Sequence, residues 1–335
     1  MIKRRIMLAH GSGGRLMHGL IKELLLKKLN NPILAELSDS ALIKYKDRIV
    51  FSTDSFVVTP LFFPGGDIGK LAVCGTANDL VMLGGLPEYL ALSLIIEEGL
   101  DYRILEKIIE SISREIKKTG ISIVTGDIKV VEKGAADKIF INTSGIGRVK
   151  NGLRLSAKNI RSGDRVIITG KIGQHGLAVL AGRRDMNLGF NIKSDCAALA
   201  DLLLPVLMKI KGIRFMRDPT RGGVATTLNE ITESSGLGIV IEEKFIPVSG
   251  KVRAACELLG LDPLYLANEG RAIIIVAADS AKRVLSLLRA HPLGKDSGII
   301  GSVVSDYPSQ VVMNTVLGTQ RIIEMLAAEA LPRIC

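Results

Sequence analysis

Helix-like and strand-like hydrophobic patterns alternate along the first half of the chain. Apolar residues that recur every three or four positions predict helices, and short continuous apolar runs predict strands. The predicted helices cover residues 15–29, 67–83 and 102–118, and the predicted strands cover residues 48–53, 121–125 and 138–146. Gly120 closes the third helix, as glycine often does at a helix C-terminus.

The second half repeats this alternation after a polar, glycine-containing stretch at 151–163. The predicted strands cover residues 165–169, 239–242, 272–278 and 298–304, and the predicted helices cover 197–211, 221–234, 251–259, 280–290 and 321–330. Mixed strands and helices in both halves predict two lobes of the α/β or α+β class. We therefore divide the chain into a first domain at 1–155, a second at 156–325 and a tail at 326–335.

The composition is that of an ordinary globular protein. Of 335 residues, 47% are apolar and 23% are charged, which excludes a disordered chain, a collagen-like fibre and a disulfide-stapled mini-protein. The net charge of +10 suits an anionic ligand such as a nucleotide and, more weakly, a nucleic acid. Aromatic residues are only 4% and tryptophan is absent, so the chain has few side chains on which nucleic-acid bases could stack.

Cysteine spacing and the lack of long apolar runs indicate the cellular compartment of the protein. The four cysteines form no Cys-x-x-Cys pair, which argues against a structural zinc site and a thioredoxin-like motif. No apolar run reaches the roughly 18 residues of a membrane helix, and the N-terminal apolar stretch is too short for a signal peptide. We expect a soluble protein in a reducing cytoplasm.

A glycine-rich segment, His10-Gly11-Ser12-Gly13-Gly14-Arg15, precedes the first predicted helix. Its glycines let backbone N–H groups face a phosphate, the helix N-terminus adds partial positive charge, and Arg15 adds a guanidinium. The alternative is an arm in which Ser12 caps the helix. The spacing matches neither a Walker A loop nor a dinucleotide-binding fingerprint.

Four aspartates of the first domain lie at strand ends, in glycine turns or inside a helix: Asp54, Asp67, Asp79 and Asp127. Magnesium takes few carboxylates and completes its shell with phosphate oxygens and water, so such a set predicts a metal–nucleotide site. The alternative is turn and cap chemistry, and Asp67 in particular has the position of a helix N-cap. Asp79 is harder to explain in this way, because it lies inside an apolar helix.

Two further clusters carry charged groups beside glycines. The run Arg217-Asp218-Pro219-Thr220-Arg221-Gly222-Gly223 leads into a helix and predicts either an anion site or a turn capped by Asp218 or Thr220. Asn268-Glu269-Gly270 precedes a strand, and Lys129 follows Gly126-Asp127. Glu269 or Lys129 can serve as a general base if burial shifts its pKa, and otherwise each is a solvated surface charge.

Cys335 closes the sequence, behind Pro332-Arg333-Ile334. A thiol on a chain end can move between sites, since termini are mobile unless they are tied down. The charge of Arg333 favours the thiolate, and the terminal carboxylate opposes it. Cys74, Cys196 and Cys256 fall in predicted helical stretches and are interpreted as small core residues.

Taken together, these motifs resemble those of the HypE family of hydrogenase maturation proteins, and the resemblance spans nearly the whole chain. The matching segments are residues 10–15, Thr53-Asp54-Ser55-Phe56, residues 63–70, Asn78-Asp79-Leu80, Thr125-Gly126-Asp127 with Lys129, residues 217–223, Asn268-Glu269-Gly270 and residues 332–335. One departure is Ile128, where the family pattern has threonine. The family belongs to the superfamily of aminoimidazole ribonucleotide synthetase, selenophosphate synthetase and thiamine-phosphate kinase.

The resemblance implies a fold and an assembly. It implies a two-lobed α/β fold like that of aminoimidazole ribonucleotide synthetase, in a homodimer whose N-terminal lobes pair into a shared β-barrel. The first domain would bind ATP and magnesium near the subunit junction and form the dimer.

It also implies a reaction with named partners. A carbamoyltransferase, HypF, loads a carbamoyl group on Cys335, and ATP then drives its dehydration to a thiocyanate. The cyanide passes to a HypC–HypD complex for the iron of nickel–iron hydrogenase. The implied catalytic residues are Cys335, Glu269 and Lys129, and the implied magnesium ligands are Asp54, Asp67, Asp79 and Asp127. The implied ATP contacts are Gly11, Gly13, Gly14, Arg15, Asn78, Asp218, Thr220 and Arg221.

Other functions are compatible with parts of the pattern. An ATP-dependent small-molecule phosphotransferase or synthetase of the same superfamily is the main alternative. A selenophosphate synthetase would carry its reactive residue near the N-terminus, whereas the first cysteine here is Cys74, and a thiamine-phosphate kinase has no use for Cys335. A nucleic-acid binder is supported by the charge alone. A non-catalytic adaptor that only docks its tail is the remaining alternative.

Overall fold

In this computed structural model, the described residues form one four-stranded and one seven-stranded β-sheet, one in each half of the chain, and a small two-stranded sheet. The structure describes residues 5–11, 15–36, 43, 45–46, 48–150, 152–183, 191–326, 331 and 333–335. Within these residues, no helix is long and apolar enough to cross a membrane.

In the N-terminal lobe, the described residues form four helices and six strands. An initial helical segment comprises α1 (Arg15–Leu20), a π-helical stretch (Ile21–Leu26) and α2 (Lys27–Leu29). There follow β1 (Ile49–Phe56), β2 (Phe62–Phe63), β3 (Gly66–Asp67), α3 (Ile68–Met82), β4 (Gly85–Glu97), α4 (Tyr102–Thr119), β5 (Ser122–Val131) and β6 (Ile139–Val149). The main sheet has the order β1-β6-β4-β5, with only the β4–β5 pair parallel.

The two faces of this sheet differ in their surroundings. Residues of β1 and β6 alternate between inner, more buried positions and outer, more exposed ones. The inner face packs against α3. This helix is buried on nearly every side, and its sequence accordingly lacks the polar face of a surface helix. The outer face carries exposed apolar side chains, among them Phe51 at 67% exposure and Ile95 at 43%. In the described residues this sheet is open at β1 and β5.

In the part of the C-terminal lobe that the structure describes, there are five helices and seven strands. They are β7 (Arg165–Ile168), α5 (Gln174–Ala181), α6 (Ala200–Lys209), β8 (Ile213–Arg217), α7 (Gly223–Ser235), β9 (Gly238–Glu242), α8 (Gly250–Leu259), β10 (Ile273–Val276), α9 (Ala278–Arg289), β11 (Gly298–Val304), β12 (Val311–Asn314) and β13 (Gln320–Ile323). The sheet order is β13-β12-β9-β11-β7-β10-β8, and only β12 and β9 run parallel.

Strand β10 is fully buried because helices cover both faces of the second sheet. Ile273 and Ile275 pack into the core on the α7 side, and Ile274 and Val276 into the core on the α6 and α9 side. Val81 and Met82 at the end of α3 join that second core, so the same apolar cluster links the two lobes. Because both faces of β10 are buried, its sequence is a continuous apolar run without alternating polar residues.

The structure corrects four sequence predictions. The helix predicted over 321–330 is wrong at its start, because residues 320–323 form β13 and pair with β12 across a turn at 315–319. Strand β4 was not predicted. Asp54 and Asp127 lie inside β1 and β5, where the sequence placed them just after strands. Cys196 precedes α6 and is not helical.

Candidate active site

Four carboxylates from both lobes lie within electrostatic reach of one another at the junction of the lobes. Asp54 lies on β1 and Asp79 on α3, whereas Asp218 follows β8 and Glu269 precedes β10. Burial raises the pKa of Asp218 to about 7, and the charges of Asp79 and Asp54 add to that rise. Like charges held together in a buried place are typical of functional sites.

The two N-terminal members of this carboxylate cluster face each other from a strand and a helix. Burial raises the pKa of Asp54, and the charge of Asp79 raises it further. Burial also raises the pKa of Asp79, although the Ser52 hydroxyl donates a hydrogen bond of 2.7 Å to its carboxylate and Arg217 lies close enough to oppose the rise. The sequence placed Asp79 in an apolar helix, and this contact explains why a carboxylate is tolerated there.

Glu269 is the most deeply buried member of the cluster. Its side chain is 4% exposed, and its Oε1 has no hydrogen-bond partner in the part of the chain that the structure describes. Burial first, and then the charges of Asp218, Asp195, Asp54 and Asp79, raise its pKa well above the ordinary value. A buried carboxyl group with an unused oxygen can hold or take a proton at a reacting centre.

Asp195 positions the backbone on either side of Glu269. Its carboxylate accepts hydrogen bonds from the amides of Glu269 at 3.4 Å and Gly270 at 3.2 Å, and it forms an ion pair with Arg271 at 3.5 Å. A Cβ on Gly270 would lie only 1.9 Å from the Asp195 carbonyl oxygen, so this approach requires glycine. Sequence reasoning missed Asp195, because a single aspartate in a polar stretch carries no recognisable spacing.

Two buried asparagines connect the segments that carry the carboxylates. The Asn78 amide donates to the carbonyls of Ala197 and Glu269, at 3.0 and 3.3 Å, and its Oδ1 accepts from the Leu199 amide at 2.8 Å. The Asn268 amide donates to the carbonyl of Pro219 at 3.0 Å. Asn78 was predicted to contact ATP, but in this structure its side chain is engaged with backbone groups that join α3 to the second lobe.

The turn at residues 217–223 brings positive charge and backbone amides to the cluster. Gly222 and Gly223 both have positive φ, +74° and +61°, and they start α7 without a side-chain cap. Arg221 is exposed and lies close enough to Asp54 to oppose the rise in its pKa. A helix N-terminus with an adjacent guanidinium is suited to a phosphate group.

Asp67 acts as a helix cap in the structure. Its Oδ1 accepts from the amides of Gly69 and Lys70, at 2.8 and 3.0 Å, and its Oδ2 accepts from the Ser111 hydroxyl at 2.6 Å. The cap interpretation of Asp67 is thus confirmed. Three of the roughly four acceptor sites of its carboxylate are used by these contacts, and its assistance to magnesium stays a prediction.

Replacement of Asp67 separates these two roles. We expect Asp67→Ala to lower the free energy of unfolding by about 1–3 kcal/mol, since a buried cap and the Ser111 contact are both lost. Asp67→Asn keeps an acceptor for the helix amides, so most of the stability should remain. Urea unfolding of both variants measures this difference. A stable Asp67→Asn protein that no longer binds magnesium–ATP would instead support the ligand assignment.

Asp127 and Lys129 form an exposed pair on the edge strand β5. The Lys129 ammonium lies 2.7 Å from the Asp127 carboxylate, and their side chains are 62% and 52% exposed. The hydrogen bond from Lys129 lowers the pKa of Asp127. In the single chain, therefore, these two predicted site residues face solvent, while Glu269 is buried at the lobe junction.

The glycine-rich segment lies only partly within the described residues. Gly11 ends a short 3-10 helix, Leu8–Gly11, and Arg15 begins α1, while residues 12–14 fall outside the described part. The short helix is fixed to the start of α4 through the backbone of Ile6, which pairs with Leu100 at 2.8 Å. The phosphate contacts proposed for Gly13 and Gly14 therefore stay predictions.

The last three residues of the chain are docked between the lobes. The Val57 amide donates to a carboxylate oxygen of Cys335, and the Thr59 amide donates to the Arg333 carbonyl, both at 3.1 Å. The Arg333 guanidinium lies 2.7 Å from the Asp137 carboxylate, and Ile334 is 3% exposed. The tail was predicted to be a mobile end, and the structure records its inward, docked position.

Both halves of the chain are similar to known protein families. Residues 37–149 match the family "AIR synthase related protein, N-terminal domain", and residues 161–314 match the corresponding C-terminal domain. Carbamoyl dehydratase HypE of Rhodobacter capsulatus is 46% identical over 334 residues, which cover 99% of this chain and 98% of the relative. The chain belongs to the HypE family.

Solved HypE structures have the same fold. A crystal structure of HypE in complex with ATP superposes with a TM-score of 0.95 at 46% identity, covering 98% of this chain and 99% of the other. The HypE of a HypE–HypF complex superposes with a TM-score of 0.81, also at 46% identity, covering 92% and 99%. The predicted two-lobed AIR synthase-like α/β fold is confirmed, whereas the dimeric barrel is not tested by a single chain.

The other cysteines of this HypE family member are buried. Cys74 is 0% exposed, and Cys196 and Cys256 are each 2% exposed. A hydrogen bond between the thiols of Cys74 and Cys196, together with burial, raises the pKa of Cys196 well above its ordinary value. Burial also raises the pKa of Cys256 to about 11. The thiols of Cys196 and Cys256 are therefore poor nucleophiles at neutral pH.

Proposed function

We propose that this chain uses ATP to dehydrate a carbamoyl group carried on Cys335 to a thiocyanate, which supplies the cyanide ligand of nickel–iron hydrogenase. It is an ATP-dependent carbamoyl dehydratase of hydrogenase maturation. The observation that carries the proposal is the docked tail: in a HypE family chain, the terminal thiol lies on the core between the lobes and not on a free end. Docking holds the thiol, which is half-buried, at a defined place beside the carboxylate-bearing lobes.

The reaction balances in two steps. The carbamoyl oxygen takes the γ-phosphoryl group of ATP and releases ADP, which turns that oxygen into part of a good leaving group. The nitrogen then loses its two protons while the C–O bond breaks, so that thiocyanate and phosphate form. The first step needs charge stabilisation around the transferred phosphoryl group, and the second needs a base close to the nitrogen.

Glu269 is the base that the geometry supports best. Its unpartnered Oε1 is available, and Asp195 and Asn78 fix the backbone that carries it. Lys129 is proposed to assist, but in the single chain it pairs with Asp127 on the exposed edge strand. A homodimer would therefore have to bring Lys129 to a reacting group.

The residues of the carboxylate cluster fit a divalent cation. Asp54, Asp79 and Asp218 repel one another, and nearby positive charge would relieve this repulsion. No three His, Cys, Asp or Glu side chains among the described residues lie close enough to hold an ion by themselves, which suits magnesium bound together with phosphate oxygens. Asp127 is proposed as a further ligand. When bound, magnesium would offset the negative charge of the phosphates.

ATP is proposed to bind where backbone amides and arginine side chains converge. Arg221, Thr220 and the start of α7 would contact phosphate beside Asp218. The segment that contains Gly11, Gly13, Gly14 and Arg15 would supply further amides and one guanidinium. Asn78, given its backbone contacts, would act by holding Asp79 and Glu269 in place and not as a direct ATP ligand.

The exposed apolar face of the first sheet supports the proposed homodimer. Phe51, Leu86 and Ile95 are 67%, 43% and 43% exposed, and two such faces would bury them in a shared barrel. A HypE–HypF complex is known as a crystal structure, and HypF is the proposed source of the carbamoyl group. The HypC–HypD complex is the proposed acceptor of the cyanide.

Intact mass of the chain tests the proposed function directly. With HypF and its substrates, the mass should rise by one carbamoyl group, and ATP should then remove one water. Peptide mapping should place both changes on Cys335. If phosphate is released from ATP with a free small molecule while the mass of the chain stays constant, the alternative phosphotransferase or synthetase is correct.

Calorimetric titration with magnesium–ATP tests the proposed ligands. Asp79→Asn and Asp127→Asn should each weaken binding about tenfold or more, because each removes a charge that would meet the ion. The matched control is Asp101→Asn, in which the changed residue caps α4 away from the carboxylate cluster. Parent-like affinity in both Asp79→Asn and Asp127→Asn would remove these residues from the site.

A further inference from the structure

A buried histidine contacts the docked tail next to the terminal thiol. His175 lies on α5 and is 0% exposed. Its Nε2 lies 3.0 Å from the carbonyl oxygen of Ile334, the residue before Cys335. Phe63 packs edge-on against the imidazole ring, at 5.4 Å between ring centroids and an interplanar angle of 89°.

The hydrogen bonds of His175 determine which ring nitrogen carries the proton. A carbonyl oxygen can only accept, so Nε2 must be the donor towards Ile334. In the neutral ring Nδ1 then accepts, and it does so from the Ser194 hydroxyl at 2.8 Å. Ser194 is itself oriented, because its Oγ accepts from the Cys196 amide at 3.0 Å. Burial lowers the pKa of His175, which keeps the ring neutral.

The docked tail is held from two sides. On one side, the Arg333 carbonyl and a carboxylate oxygen of Cys335 accept from the backbone amides of Thr59 and Val57. The carbonyl between them, that of Ile334, meets His175 on the other side. Arg333 has a positive φ of +56°, so the tail is not a regular strand, and the three contacts together define which residue faces His175.

We propose that His175 is a positioning residue that holds the carrier tail in its docked register by donating its Nε2 proton to the carbonyl of Ile334. This proposal depends on the proposed function in one respect, namely that Cys335 carries the carbamoyl group. A tail shifted by one residue would turn a different group towards the imidazole and move the thiol along the cleft. His175 thereby couples the register of the tail to the position of the Cys335 sulfur.

The rate at which Cys335 reacts with N-ethylmaleimide measures docking without ATP or a partner protein. Loss of one buried hydrogen bond should raise that rate about tenfold in His175→Ala, because the undocked state becomes more populated. His175→Gln restores an N–H donor near the position of Nε2 and should bring the rate back towards that of the parent. Peptide mass mapping assigns the label to Cys335.

Tyr265→Phe is the matched control for this experiment. The Tyr265 hydroxyl donates to the carbonyl of Glu324 at 3.0 Å, so the variant removes a hydrogen bond to the chain before the docked residues. It should leave the labelling rate of Cys335 unchanged. A parent-like rate in His175→Ala, or equal increases in His175→Ala and His175→Gln, would overturn the proposal.

Nitrogen NMR of the histidine rings tests the contact without altering His175. The chain has only four histidines, and the spectrum of His175→Gln identifies the signals of His175. The full chain should show the Nε2–H form of His175 with a slowly exchanging proton. In a chain that ends at Arg333, the Nε2 proton should exchange faster with water and the Nε2 signal should shift. An unchanged spectrum would contradict the proposal. If docking is confirmed but HypF never modifies Cys335, the proposed function fails while the His175 contact stands.

Discussion

Glu269→Gln is expected to keep the affinity for ATP and to lose dehydration by about 10²–10⁴-fold, the usual effect of losing a general base. The amide has nearly the same shape as the carboxyl group, and the backbone contacts of Asp195 and Asn78 do not involve the side chain of residue 269. Calorimetry with magnesium–ATP and single-turnover release of phosphate from the carbamoylated chain measure the two properties separately.

The pH dependence of the free energy of unfolding of the same variant tests whether Glu269 is buried. The pKa of Glu269 in the folded chain is raised above its ordinary value of 4.5, so folding favours the protonated form. The parent should therefore lose stability relative to Glu269→Gln as the pH rises above about 4.5, and the two should differ little below it. Urea unfolding across this pH range measures the difference.

Two results would contradict the role of Glu269. Parent-like turnover in Glu269→Gln would exclude it as the base and leave Lys129 as the candidate. Loss of ATP binding together with turnover would make it a ligand of the nucleotide or its metal. A matched change, Glu110→Gln, should alter neither property, because Glu110 lies on α4, pairs with Lys28 at 2.8 Å and is not among the carboxylates that shift the pKa of Glu269.

The sequence predicted local features well wherever one residue type determines the local geometry. Asp67 before Gly69 and Lys70 indicated a helix cap, and Gly120 indicated a left-handed helix end, with φ of +72° in the structure. Strand β11 has its predicted bounds, because its apolar run is short and flanked by polar residues. Each of these signals depends on chemistry within a few positions of the chain.

Features that depend on distant contacts were not predictable in this way. Strand β4 contains Pro87 at a register shift, so its pattern lacks a clean alternation. Asn78 and the Glu269 carbonyl are 191 positions apart, and their contact needs both lobes to be in place. The roles of Asp195 and His175 have the same origin, since each acts on a segment distant in sequence.

Burial is the property of the site that the sequence could not supply. Glu269 and Lys129 are both charged residues near glycines, so the sequence predicted either of them equally well as a general base. In the structure Glu269 is 4% exposed, whereas the side chain of Lys129 is 62% exposed. Desolvation therefore raises the pKa of Glu269 strongly.

Cys335→Ser is expected to abolish stable carbamoylation of the chain and all later formation of thiocyanate. A hydroxyl is a much weaker nucleophile than a thiol at neutral pH, and the other three cysteines are buried. The fold should persist, because the tail is anchored by the backbone of Val57 and Thr59 and by the ion pair of Arg333 with Asp137, none of which needs the sulfur. Circular dichroism and thermal unfolding check the fold, and intact mass after incubation with HypF checks the modification.

Two matched variants complete the test of the carrier. Cys256→Ala should lower stability by emptying a buried site but leave carbamoylation intact, because Cys256 is enclosed in a separate apolar cluster. Several residues added after Cys335 should also prevent dehydration, since the Val57 amide binds the Cys335 carboxylate, and added chain would replace this charged group and must pass through the same cleft. A thiol-linked carbamoyl group found by peptide mapping in Cys335→Ser would show that another cysteine is the carrier. In that case docking of the tail would serve some purpose other than delivery of the substrate.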